Sequence, residues 1–175
     1  MDLSKVKPEF RKEIVRGGEA YLEGQLKIAT SADARASGLA GMFTAAATAL
    51  TAGVVIALFN PAWAVPARLP LMLGGAAAAI CFLAGAVLCI TAVRPADFWL
   101  PGCAPENWLD DVSAGKELND CYWERAKHIQ EQIVENSNVI AKNANLFKWG
   151  ARLGITAPFA GIVVWALASA CHWAS

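Results

Sequence analysis

The chain has 175 residues, 56% of them hydrophobic, and its fifteen Lys and Arg are balanced by fifteen Asp and Glu. A length of this kind accommodates one domain, and a net charge of zero with interleaved signs gives no basic face for nucleic acid. Mean hydropathy is +0.38, high for a soluble domain, and the apolar residues come in blocks rather than in alternation.

Residues 1–36 form a polar front segment carrying Lys5, Lys7, Arg11, Lys12, Arg16, Lys27 and Arg35. Residues 1–16 read as a short amphipathic or frayed helix, and Gly17-Gly18 is expected to break it, since paired glycines weaken a helix. From Glu19 the pattern is helical: Tyr21 or Leu22, Leu26, Ala29, Ala32 and Ala36 fall on one side, and nothing breaks the helix before Phe59. The charged front end is far longer than the n-region of a cleaved signal peptide, although Ala62-Trp63-Ala64 fits a small-x-small cleavage pattern.

Residues 37–93 read as a transmembrane hairpin. Between Ala36 and Val93 the one charged residue is Arg68. Met42–Phe59 and Leu71–Val93 are each about the ~20 residues needed to cross the hydrocarbon core. The first span is rich in small residues: Gly41, Ala45, Ala49 and Gly53 recur every four positions, with Thr44, Thr48 and Thr51 beside them. Such ladders let helix backbones approach closely in lipid, either to build an oligomer or pore or to pack within one bundle. Asn60-Pro61, Pro66 and Pro70 make a short, rigid turn with Trp63 as an interfacial anchor. The second span repeats the small-residue theme in Gly74, Ala78 and, offset, Ala77, Cys81, Gly85 and Cys89.

Residues 94–148 return to charge. Three prolines from Pro95 to Pro105 exclude a regular helix there, and Phe98 and Trp99 suggest a loop along the membrane surface. Ser113 is the expected N-cap of a helix from Ala114. Along that helix Leu118, Tyr122, Ile129, Ile133, Asn136, Ile140, Asn143 and Phe147 form a coiled-coil-like seam. The seam faces the N-terminal helix or a copy of itself, the first being favoured because both helices leave the same hairpin. Asn136 and Asn143 set register there, or lie on a solvated edge. Residues 149–175 hold the third span, with Gly150, Gly154, Ala157 and Gly161 and a kink expected at Pro158.

The flanks of the spans carry nearly all the basic residues, so the positive-inside rule places the N-terminus and the middle segment in the cytoplasm and the C-terminus outside. The expected fold is an all-α membrane protein: three transmembrane helices with long cytoplasmic helical extensions. No Asp, Glu, Lys or His lies within a span, which disfavours a transporter or a proton or redox site. GxxxxGK[ST], GxSxG and HExxH are missing, and Asp110-Asp111 lack a nucleophile. The five cysteines contain no CxxC pair, and Cys121 with His128 supplies only two ligands, too few for zinc. No enzyme activity, cofactor or metal is expected.

Ala32-Asp33-Ala34-Arg35-Ala36 enters the hairpin and Arg94-Pro95-Ala96-Asp97-Phe98 leaves it; Ile133-Val134-Glu135-Asn136-Ser137-Asn138 and Lys142-Asn143-Ala144-Asn145 lead into the last span. This layout resembles the small multi-span membrane effectors of bacterial anti-phage systems, the Pycsar-type and SLATT-type transmembrane modules. The resemblance covers most of the chain. It implies oligomers in the bacterial inner membrane that perturb the bilayer when a cytoplasmic partner signals infection. The alternative is a non-catalytic accessory subunit of a larger membrane complex.

Overall fold

A computed structural model of the chain describes residues 7–59, 68–93 and 97–174. These form four helices and no strand: α1 (Pro8–Phe59), α2 (Arg68–Ala92), α3 (Glu106–Ser113) and α4 (Leu118–Ala174). α1, α2 and α4 are long and apolar enough to cross a membrane. At 52 and 57 residues, α1 and α4 are more than twice the ~20 residues that a crossing needs. The turn at Asn60-Pro61, Trp63 and Pro66, and the segment Arg94-Pro95-Ala96, lie outside the described residues.

Three local expectations are corrected. α1 runs through Gly17-Gly18 without a break. The reason is packing: a Cβ on Gly18 would stand 2.5 Å from Ile129 Cγ2, so this glycine admits a side chain of α4 rather than ending the helix. Pro70 belongs to α2, in its first turn, where the missing N–H has no intrahelical partner to lose. Ser113 ends α3 instead of capping α4, and its hydroxyl donates back to the Asp110 carbonyl at 2.9 Å. The chain then turns at Gly115 with φ +67°, a conformation that glycine adopts without steric cost, and α4 starts at Leu118.

The described residues fall into two compact units. The first comprises residues up to Ser31 with Pro95–Ala141, and the second Ala32–Arg94 with Lys142–Ser175. In the first unit Val15 and Leu22 of α1 pack on Ile129 of α4, with Tyr122, Ala126 and Ile133 around them. Lys116 bridges Asp111 at 2.8 Å and Glu124 at 2.9 Å.

The second unit is held together by close backbone contact. A Cβ on Gly85 would meet Gly150 O at 2.9 Å and Gly154 N at 3.1 Å; one on Gly74 would meet Gly161 O at 2.7 Å. α2 and α4 therefore touch through glycine at two levels, the geometry that small residues permit in apolar helix pairs. α1 joins through Phe43, whose ring covers Gly154 and stands 5.8 Å from that of Phe82. Ala40, Ala86 and Cys89 complete the core. α4 continues as a helix through Pro158.

Gly85→Ala forces a methyl group against two backbone atoms that cannot rotate away. It is expected to cost about 1–3 kcal/mol, the usual overpacking penalty, read as reduced resistance to unfolding in mixed micelles. Gly41→Ala, which meets open space within the chain, is the matched control and leaves the fold of the single chain unimpaired.

Candidate functional site

The small residues that the sequence singles out divide into two groups. Gly74, Ala78, Gly85, Gly150 and Gly154 are buried and serve the α2–α4 contact. Those of α1 do not. Gly41, Ala45, Ala49 and Gly53 are all exposed, and a Cβ on Gly41 or Gly53 would touch nothing within 4 Å. α1 turns Ala36, Ala40, Phe43, Ala47 and Ala57 inward instead. Ala49 and Gly53 edge a shallow apolar groove of about 200 Å³ shared with Leu71 and Gly75 of α2. A larger apolar groove of about 500 Å³ opens between the three helices, lined by Ala46, Leu50, Gly74, Phe82, Pro158 and Trp165 among others.

The outward faces of the three helices differ in kind. α2 presents Leu73, Ile80, Leu83, Val87 and Ile90, and α4 presents Ile155, Phe159, Ile162, Val163 and Leu167. On α1, between Ile28 and Val55, Met42 is the one large exposed apolar side chain. Thr44, Thr48 and Thr51 add no outward donors, because each hydroxyl donates to the carbonyl four residues earlier, at 2.8–2.9 Å. Between Met42 and Val55 the outer face of α1 is thus small and internally satisfied.

The α4 seam resolves residue by residue. Ile129 is buried against α1, and Ile133 borders the same core. Ile140 and Asn143 are half-buried, and Phe147 packs on the Phe43 cluster of the second unit. Leu118 is 60% exposed and does not join the seam, since it is the first residue of α4 and Cys121 takes the inward place. Asn136 is wholly buried, and neither another Asn nor solvent is its partner. Its Oδ1 accepts the Trp99 backbone N–H at 2.9 Å, and its Nδ2 donates to the Trp99 carbonyl at 3.0 Å. One side-chain amide thereby satisfies both polar groups of a single residue in the exit loop. The Trp99 indole N–H donates to Glu135, and its ring meets His128 edge-on at 5.8 Å. Trp99 is therefore bound to α4.

A polar pocket of about 180 Å³ lies in the first unit, lined by Cys103, Asn107, Trp108, Asp111, Cys121, Glu124, Arg125 and His128. It brings Cys121 and His128 together as their seven-residue spacing suggests. Yet no group of three or more His, Cys, Asp or Glu among the described residues has the geometry to hold a metal ion. Lys116 occupies the two carboxylates, which hold its ammonium above the usual lysine range. Burial, reinforced by Asp111, pushes the Cys121 thiol up, so it stays a protonated thiol rather than a nucleophile. Arg125 donates to the Gly102 carbonyl and pairs with Glu19 at 3.5 Å.

Two buried glutamines went unread in the sequence. Gln25 donates from Nε2 to Ile133 O at 3.1 Å and to Ser137 Oγ at 2.8 Å, while its Oε1 and that of Gln132 are buried without a hydrogen bond. Only the helical phase of Leu22 and Gln25, three residues apart, signals that Gln25 points inward.

The chain matches no protein-family model, and comparison with curated proteins and with solved structures found no similar protein.

Asn136→Ala strands the Trp99 N–H and carbonyl without partners. A loss of about 1–3 kcal/mol is expected, from two hydrogen bonds at about 0.5–1.5 kcal/mol each, together with faster hydrogen exchange at the Trp99 amide. Unchanged exchange would mean that this hydrogen-bond pair does not hold the loop.

Proposed function

We propose that this chain is an oligomeric protein of the bacterial inner membrane that perturbs the bilayer on a signal from a cytoplasmic partner. The observation that carries the reading is the contrast between outward faces. α2 and α4 turn large aliphatic and aromatic residues outward along their spans, as lipid-facing helices do, whereas over residues 41–53 α1 turns out Gly41, Ala45, Ala49 and Gly53 with Met42 as the one large apolar exception, its large exposed residues returning only from Val55 to Phe59. Leu and Ile each favour insertion by about 0.3–0.6 kcal/mol on the translocon scale. Small residues contribute little to that, but they allow the close backbone approach that lets helices associate in lipid. A helix so composed gains by being covered with another helix. In this reading the first unit lies in the cytoplasm, consistent with the distribution of Lys and Arg, and the spans carry no charged group for chemistry.

An accessory subunit is the second reading. Leu109 and Val112 of the short α3 favour it, being exposed apolar residues on a helix too short to span, which suits an unlike partner.

Expression of the protein alone separates the two. Growth arrest with loss of membrane potential is expected for the effector. Harmless accumulation, or recovery in fixed stoichiometry with a larger complex, supports the subunit. Gly41→Leu or Ala45→Leu is expected to abolish oligomers in a lipid crosslinking assay without unfolding the monomer, since both positions are exposed. The orientation has its own test. A membrane-impermeant maleimide on spheroplasts is expected to label the exposed Cys171 and to reach Cys103 only after permeabilisation; the reverse order would invert the topology.

A further inference from the structure

In the first unit α1 has three faces. One, with Val15, Leu22 and Gln25, packs on α4. A second carries Lys12, Arg16, Glu23 and Lys27, including the Glu23–Lys27 pair at 2.7 Å. The third is apolar and uncovered: Phe10, Ile14, Tyr21 and Ile28 are 61%, 40%, 58% and 57% exposed. A helix with one neighbour in water needs one apolar stripe; a second, uncharged stripe calls for a second neighbour.

We propose that this third face is a self-association seam, in which Phe10, Ile14, Gly17, Tyr21, Gly24 and Ile28 pair with the same residues of a second copy in a parallel coiled coil. The proposal rests on the self-assembly reading above and names the surface and partner outside the spans. The spacing carries it. These positions step by four, three, four, three and four, the a and d sites of consecutive heptads. A seven-residue repeat drifts by ~20° per heptad on a straight helix, and supercoiling about a second helix removes that drift.

The glycines supply the second, independent observation. Gly17 and Gly24 weaken the helix interior, yet a Cβ on either would touch nothing within 4 Å, so the chain's own packing does not require them. In a parallel pair they flank the hole that receives Tyr21 of the other copy, so that a large a residue seats between two small d residues. Counted along the sequence, the same register passes through Ser31 and Arg35, where the apolar repeat is interrupted, and then places Gly38, Ala45 and Ala52 at later d sites, each exposed in the second unit. Copies inserted in one membrane with one orientation run parallel, and a second copy is the helix that repeats this pattern in this direction. A lipid surface fits less well. The neighbouring charged face alternates Lys12, Arg16 and Lys27 with Glu9, Glu13 and Glu23, which cancels the attraction to anionic headgroups that holds a basic amphipathic helix on a bilayer.

The test uses the full chain in native membranes, with photoreactive benzoylphenylalanine in place of Tyr21 and, as control, in place of Arg16. Crosslinks between two copies are expected from position 21 and not from position 16. Gly24→Leu, which adds a helix former where there is open space, is expected to cut the position-21 crosslink at least tenfold while helix content holds. A position-21 crosslink to lipid or to an unlike protein alone, or one that survives Gly24→Leu, overturns the seam. If the seam variants leave oligomers intact while Gly41→Leu removes them, self-assembly stands and the seam falls. A wild-type chain that forms no oligomer overturns both.

Discussion

Backbone contact between α2 and α4 is the constraint on which the rest of the second unit depends. Gly85 lies against Gly150 and Gly154, and Gly74 against Gly161, at distances where one added methyl group would overlap backbone. Because these atoms are main chain, nothing in the contact can yield by changing rotamer. The glycines also leave room for one large insertion, the ring of Phe43, which fixes the phase of α1. Once Phe43 points inward, residues two away on the helix, Gly41 and Ala45, are rotated about 200° from it and point out. The exposure of the small-residue ladder on α1 is therefore a consequence of the glycine contact on the other two helices.

The small residues of the chain thus fall into two groups. Those of α2 and α4 are consumed in holding the unit together. Those of α1 are left over, and the threonines among them bond back to their own helix, so the surface offers shape without polarity. Association on such a face is driven by close packing, the kind of contact that can be switched by small shifts in the helices that carry it. In the first unit the loop is strapped to α4 through Asn136 and Trp99, with the pocket that Asp111, Glu124, Arg125 and His128 line beside it.

Much of the fold is legible in the sequence, and the parts that are not have physical reasons. Charge gaps mark the three long apolar helices because an uncharged stretch of about twenty residues has few other uses. The continuity of α1 from Glu19 to Phe59 follows from the lack of breakers. Gly17-Gly18 misleads because local propensity favours a break, whereas the Ile129 side chain needs the space. Ser113 misleads because a capping residue and a residue that bonds back to its own helix share one chemistry, and only Gly115 tells them apart. The α4 seam is visible from its three- and four-residue steps. The partner of Asn136 is not, since it is a backbone 37 residues away. Of the candidate surface, Gly41 and Ala45 are legible as small residues, but which way they face is decided by Phe43 and the glycines of the other helices.

The central claim is that the chain works as an assembly of copies of itself. The most direct measurement counts copies in a bilayer: single-molecule photobleaching of a chain carrying one fluorophore, at low density in native lipid. The account predicts spots that bleach in two or more steps, with the count falling to one when Gly41 or Ala45 is replaced by Leu. Single-step bleaching of the wild-type chain at every density would contradict it.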